Sequence, residues 1–186
     1  MLLLIVVLAG FGWFIGKAIA FGLDAAGVGL RKVDKLNRKA RQLSDTKKHG
    51  EAIAVFDQAL CLVPEDPTTL KNKAFALEAW GKLGEALQCL DTAVRVDPAD
   101  PDAWYLRSDL LTRMHRFEDA LAAADQCLAL VPSSPHGWSQ RASALSGLGR
   151  PNEATECYDH ALALDPGYVV AALGREALVM NLDSGG

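Results

Sequence analysis

Hydrophobic and small residues return along this chain every 34 residues, and within each period they follow the 3.6-residue spacing of amphipathic helices. In the first half of each period two apolar columns run through the copies: Leu36, Leu70, Trp104 and Trp138, and then Leu43, Leu77, Leu111 and Leu145. In the second half the recurring residues are small: Ala52, Ala86, Ala120 and Ala154, and then Ala59, Ala93, Cys127 and Ala161. Small residues let helices approach closely, while large ones fill the remaining space. Each period is therefore predicted to form two helices joined by a tight turn.

Paired prolines mark the boundaries between the copies. The two prolines of a pair stand three residues apart, and the pairs repeat with the same period: Pro64 and Pro67, Pro98 and Pro101, Pro132 and Pro135, with a lone Pro166. The first proline of a pair ends one helix, and the second can occupy the first position of the next. Asp66, Asp100 and Ser134 precede the second prolines as candidate N-caps. These marks predict units at residues 33–66, 67–100, 101–134 and 135–168, a closing helix at 169–182 and a tail at 183–186.

The first 23 residues follow a different pattern. The stretch MLLLIVVLAGFGWFIG contains sixteen residues without a charge, and a second apolar run follows Lys17. A helix over residues 1–23 would extend about 34 Å, enough to cross a hydrocarbon core of about 30 Å. We therefore predict a single transmembrane anchor at 1–23, followed by a short basic linker that contains glycine at 24–32. A cleaved signal peptide ending near Ala20 and a helix lying flat on the membrane remain alternatives.

Charge is distributed unevenly along the chain, whose formal net charge is −4. Eight basic and two acidic residues lie between Arg31 and Lys48, whereas residues 49–186 hold ten basic and twenty acidic ones. The basic cluster directly follows the apolar segment, and by the positive-inside rule it places the repeats in the cytoplasm. Because the chain lacks a uniformly basic surface, nucleic acid is not an expected partner.

The apolar and small columns, with the prolines that close each unit, resemble the signature of the tetratricopeptide repeat family over residues 33–182. Two units depart from that signature, since Leu36 and Leu70 stand where the family usually has tryptophan. The resemblance implies an all-α, right-handed solenoid of about four helix pairs and a capping helix, here preceded by the transmembrane helix. It also implies that the first helices line a concave groove, which takes an extended peptide or a helix of a partner protein.

Charged residues recur with the same period. Cations occupy one column, at Lys39, Lys73, Arg107, Arg141 and Arg175, and aspartates occupy another, at Asp57, Asp91, Asp125 and Asp159. Because partly buried cations need partners, we expect an internal ladder of ion pairs rather than a binding stripe. Pairs within a unit would leave Arg175 without an aspartate, whereas pairs that cross to the next unit would leave out Lys39. A further basic column at the turns and an acidic one opening the second helices complement the helix dipoles.

The sequence offers no catalytic or metal-binding motif. Its four cysteines fall on apolar stretches and none is paired as CxxC, which is typical of buried thiols in a reducing compartment: Cys61, Cys89, Cys127 and Cys157. The histidines are scattered, and no glycine-rich phosphate loop follows a strand. We therefore expect no enzymatic activity, no bound metal and no cofactor.

A partner would contact those positions of the first helices that the repeat signature leaves free. The candidates are Arg38, Arg41, Lys71, Asn72, Phe75, Tyr105, Asp109, Arg113 and Gln140, together with Asn37, Leu106, His136, Ser139 and Ser143. Phe75 and Tyr105 are the expected anchors. Some family members hold a partner's terminal carboxylate with a clamp of lysine, asparagine and arginine. That clamp matches only Asn72 in one register and only Lys71 in the next, so we do not expect it here.

The closing helix is apolar nearly all round, whereas caps of such arrays usually turn a polar face to water. We expect one face of it to lie against the fourth unit, formed by Ala172, Arg175, Glu176 and Val179. Four apolar residues would then remain exposed as a C-terminal stripe: Val170, Leu173, Ala177 and Met180. An exposed stripe of this kind favours self-association or a hydrophobic partner.

These features predict a membrane-anchored adaptor that faces the cytoplasm, binds partner proteins in its groove and recruits them to a membrane. A self-assembling coat built through the C-terminal stripe is one alternative. An exported repeat protein with a cleaved signal peptide is the other.

Overall fold

The computed structural model describes residues 29–184, and it gives side chains for residues 29–180. The described residues form nine α-helices: α1 (29–45), α2 (His49–Leu62), α3 (Pro67–Ala79), α4 (Leu83–Val96), α5 (Pro101–Arg113), α6 (Phe117–Leu130), α7 (Pro135–Gly147), α8 (Pro151–Leu164) and α9 (Val169–Ser184). The described residues form two compact parts, residues 29–64 and residues 65–184. The first part contains α1 and α2, and the second contains α3 to α9. The two helices predicted for each period are present in both parts.

Two helix bounds differ from the sequence prediction. Residues 29–32, which we assigned to the linker, are helical. Helix α9 continues to Ser184, two residues beyond the predicted end, because the first helix-breaking residues after it are Gly185 and Gly186. The predicted transmembrane helix at 1–23 lies outside the described residues. Among the helices that are described, none is both long enough and apolar enough to cross a bilayer.

The residues predicted to cap the first helices do so. Asp66 Oδ2 accepts the backbone N–H of Thr69 at 2.7 Å, and Asp100 Oδ1 accepts that of Asp102 at 3.0 Å. Ser134 Oγ accepts the backbone N–H of Gly137 at 3.1 Å. Each cap is followed by a proline at the start of its helix. The proline pairs therefore mark the boundaries between helices, as the sequence predicted.

The small-residue columns lie at the helix contacts. Ala86, Ala120 and Ala154 are fully buried, and Leu77, Leu111 and Leu145 fill the space beside them. In the second part each first helix packs on the second helix of its own repeat, and that second helix packs on the first helix of the next. In the first part Ala52, Phe56 and Ala59 are likewise buried. Neighbouring repeats thus shelter apolar faces that one helix pair could not bury alone.

The ion-pair ladder of the second part crosses from one repeat to the next. Its bonds are Arg107 Nε to Asp91 Oδ1 at 2.7 Å, Arg141 Nε to Asp125 Oδ1 at 2.9 Å and Arg175 Nε to Asp159 Oδ1 at 2.5 Å. The cation always lies on the first helix of the following repeat. The crossed register is therefore correct, and the pairing within a unit is excluded for these three arginines.

The charges at the turns form pairs of their own. In each repeat a basic side chain just before the second helix contacts an acidic one in its first turn: Lys48 and Glu51 at 3.5 Å, Lys82 and Glu85 at 2.9 Å, Arg116 and Asp119 at 2.5 Å, and Arg150 and Glu153 at 2.6 Å. These acids lie near the positive ends of helix dipoles. The pairs belong to the scaffold, as expected.

One cysteine departs from the expected burial. Cys89, Cys127 and Cys157 are buried, but Cys61 is exposed, and none of these four cysteines forms a disulfide bond. Cys61 occupies the repeat position of Arg95, which is also exposed. That position faces away from the helix contacts, so the apolar sequence around Cys61 does not bury it.

Helix α9 presents a different face to the array from the one we predicted. Within residues 169–180, Ala171 and Leu178 are buried, whereas Glu176 and Val179 are exposed. Gly174 lies against Tyr158, so closely that a Cβ there would be 2.4 Å from the ring atom Cζ. The ring of Tyr158 therefore sets which face docks. The predicted face was wrong by about one residue, yet Val170, Leu173, Ala177 and Met180 are exposed as expected.

Candidate functional site

The first helices of the second part form a continuous surface, which we call the inner surface. Helices α3, α5, α7 and α9 contact one another in that order. The second helices α4, α6 and α8, all within residues 65–184, make no such contacts with each other. First helices are thus more closely spaced than second helices, as on the inner side of a curved stack. The positions predicted for partner binding on α3, α5 and α7 belong to these helices.

A hollow of about 350 Å³ lies between α3 and α5 on the inner surface. Its lining combines apolar, aromatic and charged side chains: Lys71, Asn72, Phe75, Asp102, Tyr105 and Leu106. Phe75 is 62% exposed, which is unusual for a large aromatic side chain in a folded domain. Both predicted anchors, Phe75 and Tyr105, line this hollow, so the repeat brings them together from different helices.

A second hollow of about 320 Å³ lies between α5 and α7. Asp102 and Tyr105 line it as well, now with Cys127 and His136. The ring of His136 lies between two tyrosines, with its centroid 5.6 Å from that of Tyr105 and 4.8 Å from that of Tyr168. The ring of Tyr105 and the carboxylate of Asp102 therefore separate two neighbouring hollows and are accessible from both.

The two cations predicted for this surface are neutralised by carboxylates. Lys71 Nζ lies 2.5 Å from Asp100 Oδ2, with only 20% and 14% of the two side chains exposed. Arg113 pairs with Glu78, and its Nη1 also lies 3.8 Å from Asp109 Oδ2. The sequence did not identify Asp100 or Glu78 as their partners. An anionic ligand would have to compete with these carboxylates, most directly at Lys71, because that side chain is mostly buried beside Asp100.

Gln140 belongs to a polar network rather than to the free surface. It is buried, and its Nε2 donates to Asp109 Oδ1 at 2.9 Å. A side-chain hydrogen bond also links it to Tyr105. Burial and the nearby Asp109 raise the pKa of the Tyr105 hydroxyl, although the hydrogen bond from Gln140 lowers it in part. Gln140 thus holds Asp109 and Tyr105 in place, and the prediction that it faces a partner was wrong.

Other predicted positions are distributed as follows. Arg38 and Arg41 are exposed on α1, in the first part. Asn37 and Ser139 are buried and cannot face a partner. The C-terminal stripe on α9 occupies repeat positions that line the inner surface in α5 and α7, since Val170 corresponds to Asp102 and His136, and Leu173 to Tyr105. The same 34-residue register would have identified this correspondence from the sequence.

Within residues 29–184, no three His, Cys, Asp or Glu side chains come together in a way that could hold a metal ion. The carboxylates of the inner surface are instead partners of Lys71 and Arg113 or line the hollows.

Comparison with protein families identifies the repeats. Two family models, both described as tetratricopeptide repeat, match residues 41–111 and 135–168. Together they span more than half of the sequence and include residues on α3, α5 and α7. No curated protein matches the chain as a whole.

Solved structures show the same fold. A crystal structure of MamA is 17% identical, with a TM-score of 0.69, and the match covers 77% of this chain and 84% of that one. MamA from Desulfovibrio magneticus RS-1 is 18% identical with a TM-score of 0.72, covering 82% and 86%. The first TPR of Spaghetti (RPAP3), bound to the HSP90 peptide SRMEEVD, is 25% identical with a TM-score of 0.60, covering 64% and 94%.

Proposed function

We propose a function from one premise: this chain belongs to the tetratricopeptide repeat family. As a member of that family it is a protein-binding scaffold and not an enzyme. In our proposal the inner surface binds a segment of a partner protein, as an extended peptide or a helix. Residues 1–23 hold the chain at a membrane, with the repeats in the cytoplasm, so that the bound partner is recruited there.

The exposure of Phe75 carries this proposal. Leaving an aromatic side chain in water forgoes about 2 kcal/mol of burial free energy. The fold requires no such residue here, because the column that packs the first helices is formed by Leu70 and Leu77 instead. An aromatic residue beside a hollow, on a surface made of first helices, is the arrangement of an anchor for a partner.

The RPAP3 repeat in the comparison binds an acidic peptide, but this chain is not suited to one. Lys71 is neutralised by Asp100, and Phe75 and Leu106 are apolar where a carboxylate clamp would need further polar side chains. We therefore do not propose a terminal carboxylate as the feature that is recognised. The partner binds instead through side chains that fill the two hollows.

Photo-crosslinking in native membranes tests the proposal. A photoreactive amino acid would replace Phe75 in one variant and Tyr105 in another, with Gln126, an exposed residue of α6, as the control position. We expect both inner-surface positions to capture the same protein and Gln126 not to capture it. Capture from Gln126 alone, or different proteins from Phe75 and Tyr105, would contradict a single binding surface.

The second candidate is self-association through the C-terminal stripe, which the exposure of α9 favours. Leu173 is 61% exposed and Met180 is 68% exposed, with Val170 beside them. A second copy could cover this stripe and form a coat tethered by the anchor. The double substitution Leu173→Asp with Met180→Asp would then abolish higher assemblies in size-exclusion chromatography of residues 31–186. A wild-type chain that remains monomeric at every concentration would contradict the coat.

A further inference from the structure

We propose that the inner surface between α3 and α7 binds a partner segment in which a large apolar side chain and a lysine or an arginine lie close together along the chain. This inference rests on the proposed function, because it names the chemistry of the partner at that same surface. The apolar side chain lies on Phe75 and Leu106 in the hollow between α3 and α5. The cationic one lies between Asp102, Tyr105 and His136.

The apolar half of the site is formed by side chains from adjacent repeats. Phe75 on α3 and Leu106 on α5 line the same hollow of about 350 Å³, which is large enough for an aliphatic or aromatic side chain. Phe75 is mostly exposed, and Leu106 is half-buried. An apolar residue entering here would remove both of these surfaces from water, and this supplies affinity without selecting for charge.

The charge of the site is negative because its cations are already paired. Lys71 contacts Asp100 at 2.5 Å, and Arg113 is paired with Glu78. Asp102 is exposed, and among the residues that the structure describes no cationic side chain pairs with it. It is therefore the carboxylate that an incoming ligand meets first. A cation from a partner would complete an ion pair that the fold leaves open.

Nearby carboxylates also affect the pKa of two groups at this surface, the Cys127 thiol and the Tyr105 hydroxyl. Burial chiefly, and then Asp102, raises the pKa of the Cys127 thiol, which lines the hollow between α5 and α7. Burial and then Asp109 raise the pKa of Tyr105. The contribution of Asp102 or Asp109 to each pKa shift reflects a field that disfavours an anion in this region, whereas the larger contribution of burial penalises a charge of either sign.

Aromatic faces complete the cationic half. Tyr105 is one turn after Asp102 on α5, so the two side chains lie on the same side of that helix. His136 lies across the hollow with its ring 5.6 Å from that of Tyr105. A lysine or arginine that reaches Asp102 would place its aliphatic stem and its charge against these rings, where cation–π attraction adds to the ion pair. An acidic side chain would gain neither interaction.

Peptide selection on the full chain in detergent micelles tests this inference. Short random peptides displayed on phage would be selected on the wild-type protein, and the enriched sequences resynthesised with a fluorescent label for anisotropy titrations. We expect the enriched peptides to contain a Lys or Arg close to a large apolar residue, on either side of it. We also expect replacement of that cation by Glu to weaken binding at least about tenfold, which corresponds to about 1.4 kcal/mol.

Charge substitutions in the protein give the complementary measurement. Asp102→Lys should weaken the selected peptide at least about tenfold, and Asp102→Asn should weaken it less. Glu118→Lys, an equal change of charge at an exposed position of α6, should leave the affinity unchanged. Circular dichroism of each variant would verify the fold, and the milder Asp102→Asn keeps the test decisive if the lysine variant unfolds.

The outcomes separate this inference from the proposed function. Enrichment of acidic peptides would overturn the inference. It would also be overturned if both Asp102 variants bind the selected peptide as tightly as the wild type while Phe75→Ala binds it more weakly. In either of those cases the inner surface would still be a binding surface. If no peptide is enriched and crosslinking from Phe75 captures nothing, the proposed function fails and the inference fails with it.

Discussion

Asp125 and Arg141 illustrate how single residues tie the repeats together. Arg141 Nε donates to Asp125 Oδ1 at 2.9 Å across a repeat boundary, and its Nη1 also lies 3.0 Å from Cys157 Sγ. The aspartate side chain is half exposed, so water screens the pair and limits the free energy it contributes. We therefore expect each pair of the ladder to add only a small free energy to the contact between two repeats.

A double-mutant cycle measures this pair. We expect Asp125→Ala and Arg141→Ala to show a coupling free energy of about 0.5–1 kcal/mol in urea unfolding, because the pair is only partly buried. A matched cycle with Asp125→Ala and Arg107→Ala should show none, since Arg107 contacts Asp91 instead. Equal coupling in both cycles would mean that the pairs are not confined to the crossed register.

The cysteines provide a second measurement at the residue scale. Burial raises the pKa of the Cys127 and Cys157 thiols, and for Cys157 the neighbouring Arg141 only partly offsets it. Thiolate is the reactive form, so both thiols are doubly protected, by burial and by their pKa. We expect a maleimide to modify Cys61 quickly in the native protein. Cys89, Cys127 and Cys157 should react only as fast as the protein unfolds.

The variant Cys61→Ser is the control for this labelling. Without Cys61, rapid modification of the native chain should disappear, and mass spectrometry of the labelled protein would identify the site. Rapid labelling of a second cysteine under native conditions would contradict the packing of the helix on which that residue lies.

Single residues also show what the sequence could predict about the site. The period located Phe75 and Tyr105 on free positions of first helices, and both line the same hollow. It did not reveal that Lys71 is paired, because Asp100 is 29 residues away and had already been assigned as an N-cap. Asp100 both caps a helix and pairs with a lysine. The repeated positions in the sequence indicated only the first of these contacts.

At the scale of helices, repetition made the fold predictable. Caps, prolines and apolar columns agree in the three units that begin at Pro67, Pro101 and Pro135, and agreement between such independent signals specifies a structure strongly. The prediction failed at α9, whose docked face was wrong by about one residue. There the ring of Tyr158 against Gly174 fixes the docked face, and a contact between one particular ring and one particular glycine leaves no periodic signal.

Alanine substitutions of two glycines test how α9 docks. Gly174→Ala would place a Cβ 2.4 Å from Tyr158 Cζ, so we expect a loss of about 1–3 kcal/mol of stability from overpacking. Gly84→Ala is the matched control, because Gly84 is also helical but a Cβ there would meet no atom within 4 Å. Alanine there should be neutral or should stabilise by up to about 1 kcal/mol.

Thermal and urea unfolding of the two variants would give the comparison directly. The expected order of stability is Gly84→Ala, then wild type, then Gly174→Ala. If Gly174→Ala is as stable as the wild type, α9 does not pack on Tyr158 as described.

At the scale of the whole molecule, the surface of the second part changes character along its length. From α3 to α7 the inner surface combines aromatic rings with the carboxylates of Asp102 and Asp109. On α9 the equivalent positions are the apolar Val170, Leu173 and Ala177. Ligand specificity and self-association can therefore reside on different stretches of one surface, and substitutions at Asp102 and at Leu173 should affect them separately.

Membrane attachment is the last property to be tested at this scale. If residues 1–23 form a helix, its length of about 34 Å matches the hydrocarbon core, and the basic residues that follow would stay on the cytoplasmic side. We expect the full chain to remain with membranes after an alkaline wash. A variant that lacks residues 1–23 should be found in the soluble fraction, with unchanged unfolding of the repeats because their core lies elsewhere.

An unrelated transmembrane helix in place of 1–23 should restore attachment. A mature protein that begins near residue 21, or a truncated chain that still resists the wash, would contradict the anchor. The first of these results would favour an exported protein, since removal of the apolar segment is the mark of a signal peptide.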